Sequence, residues 1–317
     1  MDTEQAVKTV EVRRRFRRGR ETVDALNGIS LEIRRGEFFG VLGRNGAGKT
    51  TFLRILATLL HPSSGRALVG GYDVVTEGHR VRNIINLVSG GETSGYGILT
   101  LRENLWMFSQ LYGIPSRQAL GRIDRYLERF GLQGQAKARV SALSSGMKQK
   151  MNIIRGLLND PQILFLDEPT VNLDVESARD IRAFLKEWLR EGHRTILLTT
   201  HNLFEAEELS DRLAVIEAGQ VMAIASPAEI KAMSDSEIRY ELTVRDLPGP
   251  LCLPTGHVEI RSRRDGVCLL NVRLEDDSQL PPLLQSLVAA GASLVWLRKR
   301  EPTLEDAFVS LVGKAID

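Results

Sequence analysis

Stretches rich in apolar residues alternate with regularly spaced apolar positions along the first two thirds of this chain of 317 residues. The stretches at residues 38–42, 163–166 and 195–200 predict short buried strands. Between them, apolar residues recur three and four positions apart, which predicts amphipathic helices. Strands that alternate with helices are typical of a mostly parallel sheet covered by helices. The predicted fold class of this part is therefore α/β.

The same patterns predict the other elements of this part. Strands are expected at residues 7–16 and 29–34, and helices at about residues 52–60, 102–112, 116–130, 147–158 and 181–189. Two of these helices are expected to stop at His61-Pro62 and at Asp160-Pro161, because a residue before proline disfavours the helical conformation.

The composition shifts near Ser226, and the remaining pattern predicts a small α+β domain. Its strands are expected at residues 239–244, 258–263, 267–272 and 293–298, with helices at 281–290 and from Thr303 onward. Thr303 and Asp306 resemble a capping box in which Asp replaces the usual Glu. The sequence of this part indicates no catalytic cluster of titratable residues.

Composition sets the class of protein. The chain is 43% hydrophobic and 26% charged, which allows a large buried core and suggests one large domain plus a small one. No apolar run approaches the ~20 residues that cross a bilayer, and the N-terminal residues lack the layout of a secretory signal. We therefore expect a soluble cytoplasmic protein. Cys252 and Cys268 are interpreted as small core residues in a reducing compartment.

The net charge of +2 excludes a strongly basic nucleic-acid-binding surface, so no nucleic acid partner is expected. The arginine-rich stretch at residues 13–20 is interpreted as a solvated strand and turn at the edge of a sheet. Phe16 is the exception within this stretch because it is aromatic.

The strongest chemical signal is a phosphate-binding loop at residues 43–50, which follows an apolar strand and precedes a helix. Its glycines allow backbone N–H groups to surround a polyphosphate at the N-terminus of the helix, where the dipole favours anions. In such a loop Lys49 reaches the β- and γ-phosphates and the hydroxyl of Thr50 ligates magnesium.

Two adjacent carboxylates, Asp167 and Glu168, directly follow the apolar strand at 163–166. Magnesium accepts one or two carboxylates, so Asp167 is predicted to enter the metal shell while Glu168 polarises an attacking water. The alternative is a pair of carboxylates at a helix N-terminus that Pro169 opens, which would explain one carboxylate better than two.

Residues 143–150 distinguish among the classes of protein that carry a phosphate-binding loop. The base-reading Asn-Lys-x-Asp element of GTPases is absent from the sequence, and small-molecule kinases usually lack the adjacent Asp-Glu pair. Ser144 is predicted to cap the helix that follows it, so that this helix N-terminus points at an anion. Considered alone, this segment is also compatible with an ordinary helix start.

Taken together, these motifs resemble those of the ATP-binding subunit of ABC transporters over residues 1 to about 225. Residues 43–51 resemble Walker A, residues 163–168 resemble Walker B, and residues 144–147 resemble the signature motif. Residues 172–174 resemble the D-loop, and Thr200-His201 with the following 205–207 resembles the switch histidine and its neighbours.

The resemblance implies ATP and Mg²⁺ as cofactors, with Glu168, His201 and Lys49 as catalytic residues and Thr50 and Asp167 as metal ligands. It implies that Phe16 stacks on adenine, although Tyr is commoner there. The residues implied to contact nucleotide are Phe16, Gly43, Arg44, Asn45, Gly46, Ala47, Gly48, Lys49, Thr50, Thr51, Ser144, Gly146 and Asp174. In that family two subunits close head to tail, so that Walker A of one and the signature of the other enclose each ATP; a homodimer is expected.

The signature, the D-loop region and residues 301–308 further resemble efflux ATPases of the drug-resistance and sodium group. This implies a P-loop nucleotide-binding domain at residues 1–225 with a helical subdomain at about 95–160, and an accessory domain at 226–317. It also implies a separate integral membrane permease that contacts residues 94–104, and a peripheral location on the cytoplasmic face of the membrane. The cargo is chosen by the permease and is not specified by this sequence.

Two departures from the family pattern are present. The family places a glutamine near residues 88–92, whereas this chain has none there, and Glu92 is a possible substitute as magnesium ligand. A solvated Glu92 in a loop that only contacts the permease is the alternative. In the signature, Ser145 replaces a glycine and Met147 replaces a glutamine, but Ser144 and Gly146 are kept, so hydrolysis is expected.

Two other functions stay open at this point. One is a soluble ABC ATPase that acts on ribosomes or DNA, although such proteins usually carry two ATPase domains or a long coiled-coil insertion, which this chain lacks. The other is a regulatory ATP-binding module whose accessory domain carries the function and which hydrolyses little ATP.

Overall fold

A computed structural model describes residues 4–19, 21–90, 95–192, 194–234, 238–247, 257–264 and 266–313. The chain divides into two compact units, residues 1–230 with 312–317, and residues 231–311. The boundary predicted at 225/226 is close to this division. We describe each unit separately.

The first unit contains a six-stranded sheet that is parallel except at one edge. Its strands, in the order in which they lie in the sheet, are β10 (Gln220–Ala225), β9 (Arg212–Glu217), β3 (Phe38–Leu42), β8 (Thr195–Thr200), β7 (Ile163–Asp167) and β6 (Ile85–Ser89). Only β10 runs antiparallel to its neighbour. The predicted α/β class with a mostly parallel sheet is confirmed.

The first unit also contains a second, antiparallel sheet, whose strands precede and follow β3 in the chain. It consists of β2 (Glu21–Arg34), β1 (Gln5–Arg18), β4 (Ser64–Val69) and β5 (Tyr72–Asp73). The strands predicted at 7–16 and 29–34 are thus parts of one long hairpin. The sequence patterns did not predict β4, β5, β6, β9 or β10.

The five helices predicted from periodicity are all present among the described helices of the first unit, although the bounds of some differ from those predicted. They are α1 (Lys49–Leu56), α2 (Gly78–Ile84), α3 (Leu101–Leu111), α4 (Ser116–Arg129), α5 (Ser145–Leu157), α6 (Val175–Arg190), α7 (Leu203–Leu209) and α8 (Pro227–Ala232). The first helix ends at Leu56, earlier than predicted, because Thr58 adopts a positive φ of 62° that a helix cannot continue through. Helices α2, α7 and α8 are too short to give a clear period.

The sheet is buried on both faces, which explains the continuous apolar strands. In β7, Ile163 and Phe165 pack into one hydrophobic core with Phe52 of α1, whereas Leu164 and Leu166 pack into a second core on the opposite face. Successive side chains of a strand point to opposite faces, so a strand covered on both sides must be apolar throughout. The carboxyl ends of the parallel strands meet at one edge, where ligands bind in open α/β sheets.

The second unit is α+β, as predicted. Its antiparallel sheet has the strand order β12 (His257–Arg264), β13 (Val267–Leu274), β11 (Ile238–Arg245) and β14 (Ser293–Arg300), and its helices are α9 (Leu280–Ala289) and α10 (Leu304–Val312). Leu242 and Val244 pack with Leu283 and Leu287 of α9. Cys268 is fully buried in this core, as predicted, while Cys252 lies outside the described residues.

The predicted capping box at the start of α10 is confirmed. The backbone N–H of Thr303 donates to Oδ2 of Asp306 at 3.0 Å, and the N–H of Asp306 donates to Oγ1 of Thr303 at 3.2 Å. The shorter side chain of Asp thus serves in place of Glu.

Candidate active site

The phosphate-binding loop connects the carboxyl end of β3 to the N-terminus of α1. A Cβ atom on Gly43 would lie 2.3 Å from the carbonyl oxygen of Ile216, and one on Gly48 would lie 2.5 Å from that of Ala25. Gly48 also adopts a φ of 105°, which side-chain-bearing residues rarely adopt. Both glycines are therefore required by the close approach of neighbouring backbone.

The remaining residues of the loop differ in exposure. Asn45 and Gly46 are exposed, whereas Ala47 is buried and its carbonyl oxygen accepts a hydrogen bond from the N–H of Gly219 at 3.0 Å. Arg44 and Thr51 are half-buried. The loop is therefore anchored at Ala47 and open to solvent at its tip.

Lys49 is buried beneath this loop. Its Nζ donates to the carbonyl oxygens of Gly43 at 2.7 Å and Arg44 at 3.1 Å, and lies 3.5 Å from Oε1 of Glu168. Burial lowers the pKa of the Lys49 ammonium, and the negative charge of Glu168 partly offsets this effect. The side chain is thus a desolvated cation donor, which suits a site that binds phosphate.

Asp167 ends β7 with its carboxylate among hydroxyl groups. Its Oδ1 accepts hydrogen bonds from Oγ1 of Thr50 at 3.0 Å and from Oγ1 of Thr199 at 2.5 Å. A carboxylate and a hydroxyl oxygen side by side are hard ligands of the kind that Mg²⁺ prefers, and Mg²⁺ completes its shell with water and phosphate oxygens. The donor set therefore fits magnesium, and Thr50 and Asp167 would be its protein ligands.

Glu168 lies between a lysine and a histidine. Its Oε1 is 3.1 Å from Nδ1 of His201 and 3.5 Å from Nζ of Lys49. The His201 contact is a close approach rather than an aligned hydrogen bond, because Nδ1 is buried without a hydrogen-bond partner. These side chains come from the ends of β7, β8 and the start of α1. The structure therefore brings together the three residues predicted to be catalytic.

The alternative in which the two carboxylates sit at a helix N-terminus is wrong. The next helix, α6, begins at Val175, and its N-terminus is capped by Asp174. The segment after β7 instead continues through Glu168 with a positive φ of 50°. The paired carboxylates thus end a strand and start a strained turn.

Alignment with the family pattern puts Gly90 or Gly91 at the position of the missing glutamine, and the surrounding backbone leaves little room at Gly90. A Cβ atom there would lie 1.8 Å from the carbonyl oxygen of Glu168, and the N–H of Gly90 donates to the carbonyl oxygen of Asp167 at 2.7 Å. No side chain fits at Gly90 with this backbone. Glu92 lies outside the described residues, so its proposed contact with magnesium stays a prediction.

A second group of candidate residues lies where α5 and α6 begin. Ser144 caps α5 as predicted, accepting a hydrogen bond from the N–H of Met147 at 3.2 Å. Asp174 caps α6 and accepts from the N–H of Ser177 at 2.8 Å, which lowers the pKa of the Asp174 carboxyl. A Cβ atom on Gly146 would lie 2.4 Å from Oγ of Ser177. The two helix N-termini are therefore packed closely.

The two groups stay separate within the chain. Over the described ranges, no hydrogen bond or ion pair connects Ser144, Gly146 or Asp174 with Lys49 or Glu168. These interactions therefore do not connect the phosphate-binding loop with the N-terminus of α5 in the same chain.

Phe16 lies half-buried on β1 with the guanidinium of Arg14 stacked on its ring, 4.6 Å from the centroid. The neighbouring Arg13 and Arg15 are exposed, and they pair with Glu11 at 3.0 Å and with Asp24 at 2.6 Å. Arg13, Arg15 and Arg17 are exposed, as predicted from the composition, but Arg14 is half-buried and β1 lies between β2 and β4 rather than at an edge of the sheet. Phe16 is the one aromatic residue of this stretch, and its ring is a candidate surface for stacking.

Sequence patterns missed three residues of this site. Thr199 belongs to a strand whose apolar character hides its role, Gly90 follows a strand that was not predicted, and Glu205 was noted only as a neighbour of the histidine motif. Each acts through a contact with a residue that is distant in sequence. A threonine at the end of a buried strand was the signal that could have identified Thr199.

Comparison with known proteins gives one consistent result. A sequence model of the ABC transporter family matches residues 26–171. The daunorubicin resistance ATP-binding protein DrrA3 of Streptomyces coeruleorubidus is 37% identical over 295 residues, which cover 91% of this chain and 91% of that protein. The Nod factor export ATP-binding protein I of Burkholderia orbicola is 35% identical over 295 residues, covering 91% of this chain and 92% of that protein.

A solved structure shows the same fold. The dimeric post-hydrolysis state of the ATP-binding cassette MJ0796, bound to ADP and Pi, matches with a TM-score of 0.64 and 26% identity. The match covers 69% of this chain and 98% of that chain.

Proposed function

Because this chain belongs to the family of ABC transporter ATP-binding proteins, we propose that it drives export of a substrate through a separate membrane permease. The chain is an ABC-type ATPase. The observation that carries the proposal is the convergence of Lys49, Thr50, Asp167 and Glu168 at the carboxyl edge of the parallel sheet. Open α/β sheets commonly bind their ligands at this edge, which supports the proposal.

The proposed chemistry assigns one role to each side chain. Lys49 offers its buried ammonium to the β- and γ-phosphates, while Glu168 accepts a proton from the attacking water. His201, whose Nδ1 lies 3.1 Å from Oε1 of Glu168, lies beside the carboxylate and contacts the γ-phosphate. Magnesium held by Thr50 and Asp167 would supply neutralisation of the phosphate charge.

We further propose that two copies of the chain act as a head-to-tail pair. The Ser144, Gly146 and Asp174 group is not joined to the Lys49 group of the same chain by a hydrogen bond or ion pair between described residues. A second copy would supply the missing α5 N-terminus to each nucleotide, and its dipole would favour the γ-phosphate. The relative MJ0796 is a dimer.

The proposed permease contact is the segment that precedes α3. Tyr96 is 59% exposed and Ile98 is 80% exposed, which leaves two large apolar side chains on the surface within the predicted contact region 94–104. Among the described helices, none is long and apolar enough to span a bilayer. A peripheral position on the cytoplasmic face, bound to a membrane partner, follows from the proposal. Drug resistance and Nod factor export name different cargoes among the relatives, so we propose no single cargo.

Affinity purification from gently solubilised membranes tests this function, with stoichiometric partners identified by mass spectrometry. We expect a partner with about six hydrophobic spans, each of ~20 residues. The variant Ile98→Glu should lose this partner, whereas Leu59→Glu, at a site that is 64% exposed outside the proposed contact region, should keep it. Recovery of ribosomal or DNA-repair proteins would instead support a soluble ATPase, and recovery of no partner would support a regulatory module.

A further inference from the structure

The buried carboxyl group of Glu205 connects two segments of the active site that follow different strands. Oε1 of Glu205 accepts a hydrogen bond from Oγ1 of Thr170 at 2.8 Å, and Oε2 accepts one from Oγ1 of Thr200 at 2.7 Å. Thr170 lies shortly after Glu168, and Thr200 immediately precedes His201. We propose that Glu205 is a positioning residue that holds Glu168 and His201 in their relative positions for ATP hydrolysis.

The segment that carries Glu168 needs such support. Glu168 has a φ of 50°, a conformation that is costly for a residue with a side chain and persists only where surrounding contacts enforce it. Before the turn, the N–H of Glu168 donates to the carbonyl oxygen of Thr199 at 2.9 Å. After the turn, the side-chain bond from Thr170 to Glu205 restrains the chain. Glu168 is therefore restrained on both sides.

Glu205 is itself held in place. It lies in the first turn of α7, where its N–H donates to Oδ1 of the N-cap residue Asn202 at 3.2 Å. The N–H of Asn202 in turn donates to Oγ1 of Thr200 at 2.9 Å. Further along α7, Glu208 accepts from Nε of Arg182 on α6 at 2.6 Å. The helix thus offers a fixed platform for the carboxyl group.

The chemistry of the position also favours a specific role. Glu205 is only 1% exposed, and its burial raises the pKa of its carboxyl group. An apolar side chain would fill such a space without the cost of removing a carboxyl group from water. An apolar residue could not form directional bonds to two hydroxyl groups. Through these bonds the carboxyl group of Glu205 fixes the distance between the chain segments of Thr170 and Thr200.

The inference rests on the ATPase function, and its test uses turnover of ATP by the purified chain. Thr170→Val removes one hydroxyl from the connection and keeps the side-chain shape. Its matched control is Thr195→Val, because the hydroxyl of Thr195 is also hydrogen-bonded: it accepts from the N–H of Gly36 at 3.1 Å, at the opposite end of β8. Thermal unfolding, KM for ATP and kcat are measured for both variants.

We expect Thr170→Val to lower kcat about tenfold with KM for ATP changed less than about twofold, since small misplacements of reacting groups reduce the chemical step. Thr195→Val should lower the melting temperature by a similar amount and keep kcat. Glu205→Ala should reduce kcat further, and Glu205→Gln, whose amide can bond both hydroxyls, should restore most of it.

Equal kcat values for Thr170→Val and Thr195→Val would overturn the inference, as would a loss in Thr170→Val that lies entirely in KM. If Glu205→Ala does not fold, the two threonine variants decide alone. A wild-type chain without ATP turnover would instead contradict the ATPase function itself, so the two failures are distinguishable.

Discussion

The Nδ1 atom of His201 lies 3.1 Å from the Oε1 atom of Glu168. The two residues are far apart in sequence, but they directly follow the neighbouring strands β8 and β7. The same oxygen is 3.5 Å from Nζ of Lys49. One carboxylate oxygen therefore faces both an ammonium and an imidazole at the edge where the phosphates are expected. This arrangement links the phosphate-binding loop to the residue that is proposed to act on water.

Glu168→Gln is expected to stop hydrolysis and leave nucleotide binding intact. The amide keeps the shape of the side chain but cannot accept the proton of the attacking water, so kcat should fall about 10²-fold or more. Phosphate release measures turnover, and gel filtration with ATP should show a trapped dimer. Glu128→Gln, an exposed change of the same kind on α4, serves as the control. Turnover at the wild-type rate would remove Glu168 from the role of base.

Lys49→Ala is expected to weaken ATP binding by at least about tenfold, because a hydrogen bond to a charged group contributes roughly 1.5–3 kcal/mol. Isothermal titration calorimetry measures the change in Kd. Arg54→Ala removes the same charge from the exposed side of the same helix and should bind ATP like the wild type. Unchanged affinity in Lys49→Ala would count against the assignment of the phosphate-binding loop.

Much of the fold followed from the sequence because of how the central strands are buried. Phe165 and Leu166 pack on opposite faces of the sheet, so β7 must be apolar throughout and is easily recognised. The phosphate-binding loop was recognisable for a similar reason, since Gly43 and Gly48 meet backbone atoms that leave no room for a side chain. Local constraint of this kind is visible in a single sequence.

Other parts of the site depend on contacts between distant residues, which no local pattern contains. Gly90 is restricted by the carbonyl oxygen of Glu168, and Thr199 meets Asp167 only because β7 and β8 are neighbours. The strand β9 pairs with β3, although most of the sequence of the first unit separates the two strands and the sequence of β9 gave no distinctive period. Strand order and the residues it brings together are tertiary properties.

Phe16→Ala is expected to raise KM for ATP about fivefold with little change in kcat, because stacking of a base on an aromatic ring contributes about 1–3 kcal/mol. Phe16→Tyr should behave like the wild type, since it keeps the ring. Val23→Ala is the matched control, as Val23 lies directly opposite Phe16 in the hairpin and is 52% exposed. A KM that is unchanged in Phe16→Ala would show that the ring does not contact the base.

Glu205 should make the stability of the protein depend on pH in a defined direction. Burial raises the pKa of its carboxyl group above the ordinary value of 4.5, although Arg182 of α6 and His201 act in the opposite sense. A group whose pKa is raised in the folded state contributes stability that is fully present below pH 4.5 and is lost as pH rises through the folded-state pKa. Glu205→Gln has no proton to lose and removes this contribution.

The difference in melting temperature between Glu205→Gln and the wild type should therefore become more favourable to the variant as pH rises from 4.5 toward 8. Other titrating groups are common to both proteins and largely cancel in this difference. Scanning calorimetry of both proteins at several pH values measures it. A difference that is constant over this range would mean that Glu205 keeps its ordinary pKa in the folded protein. Its two hydroxyl partners would then stabilise the carboxylate enough to offset its burial.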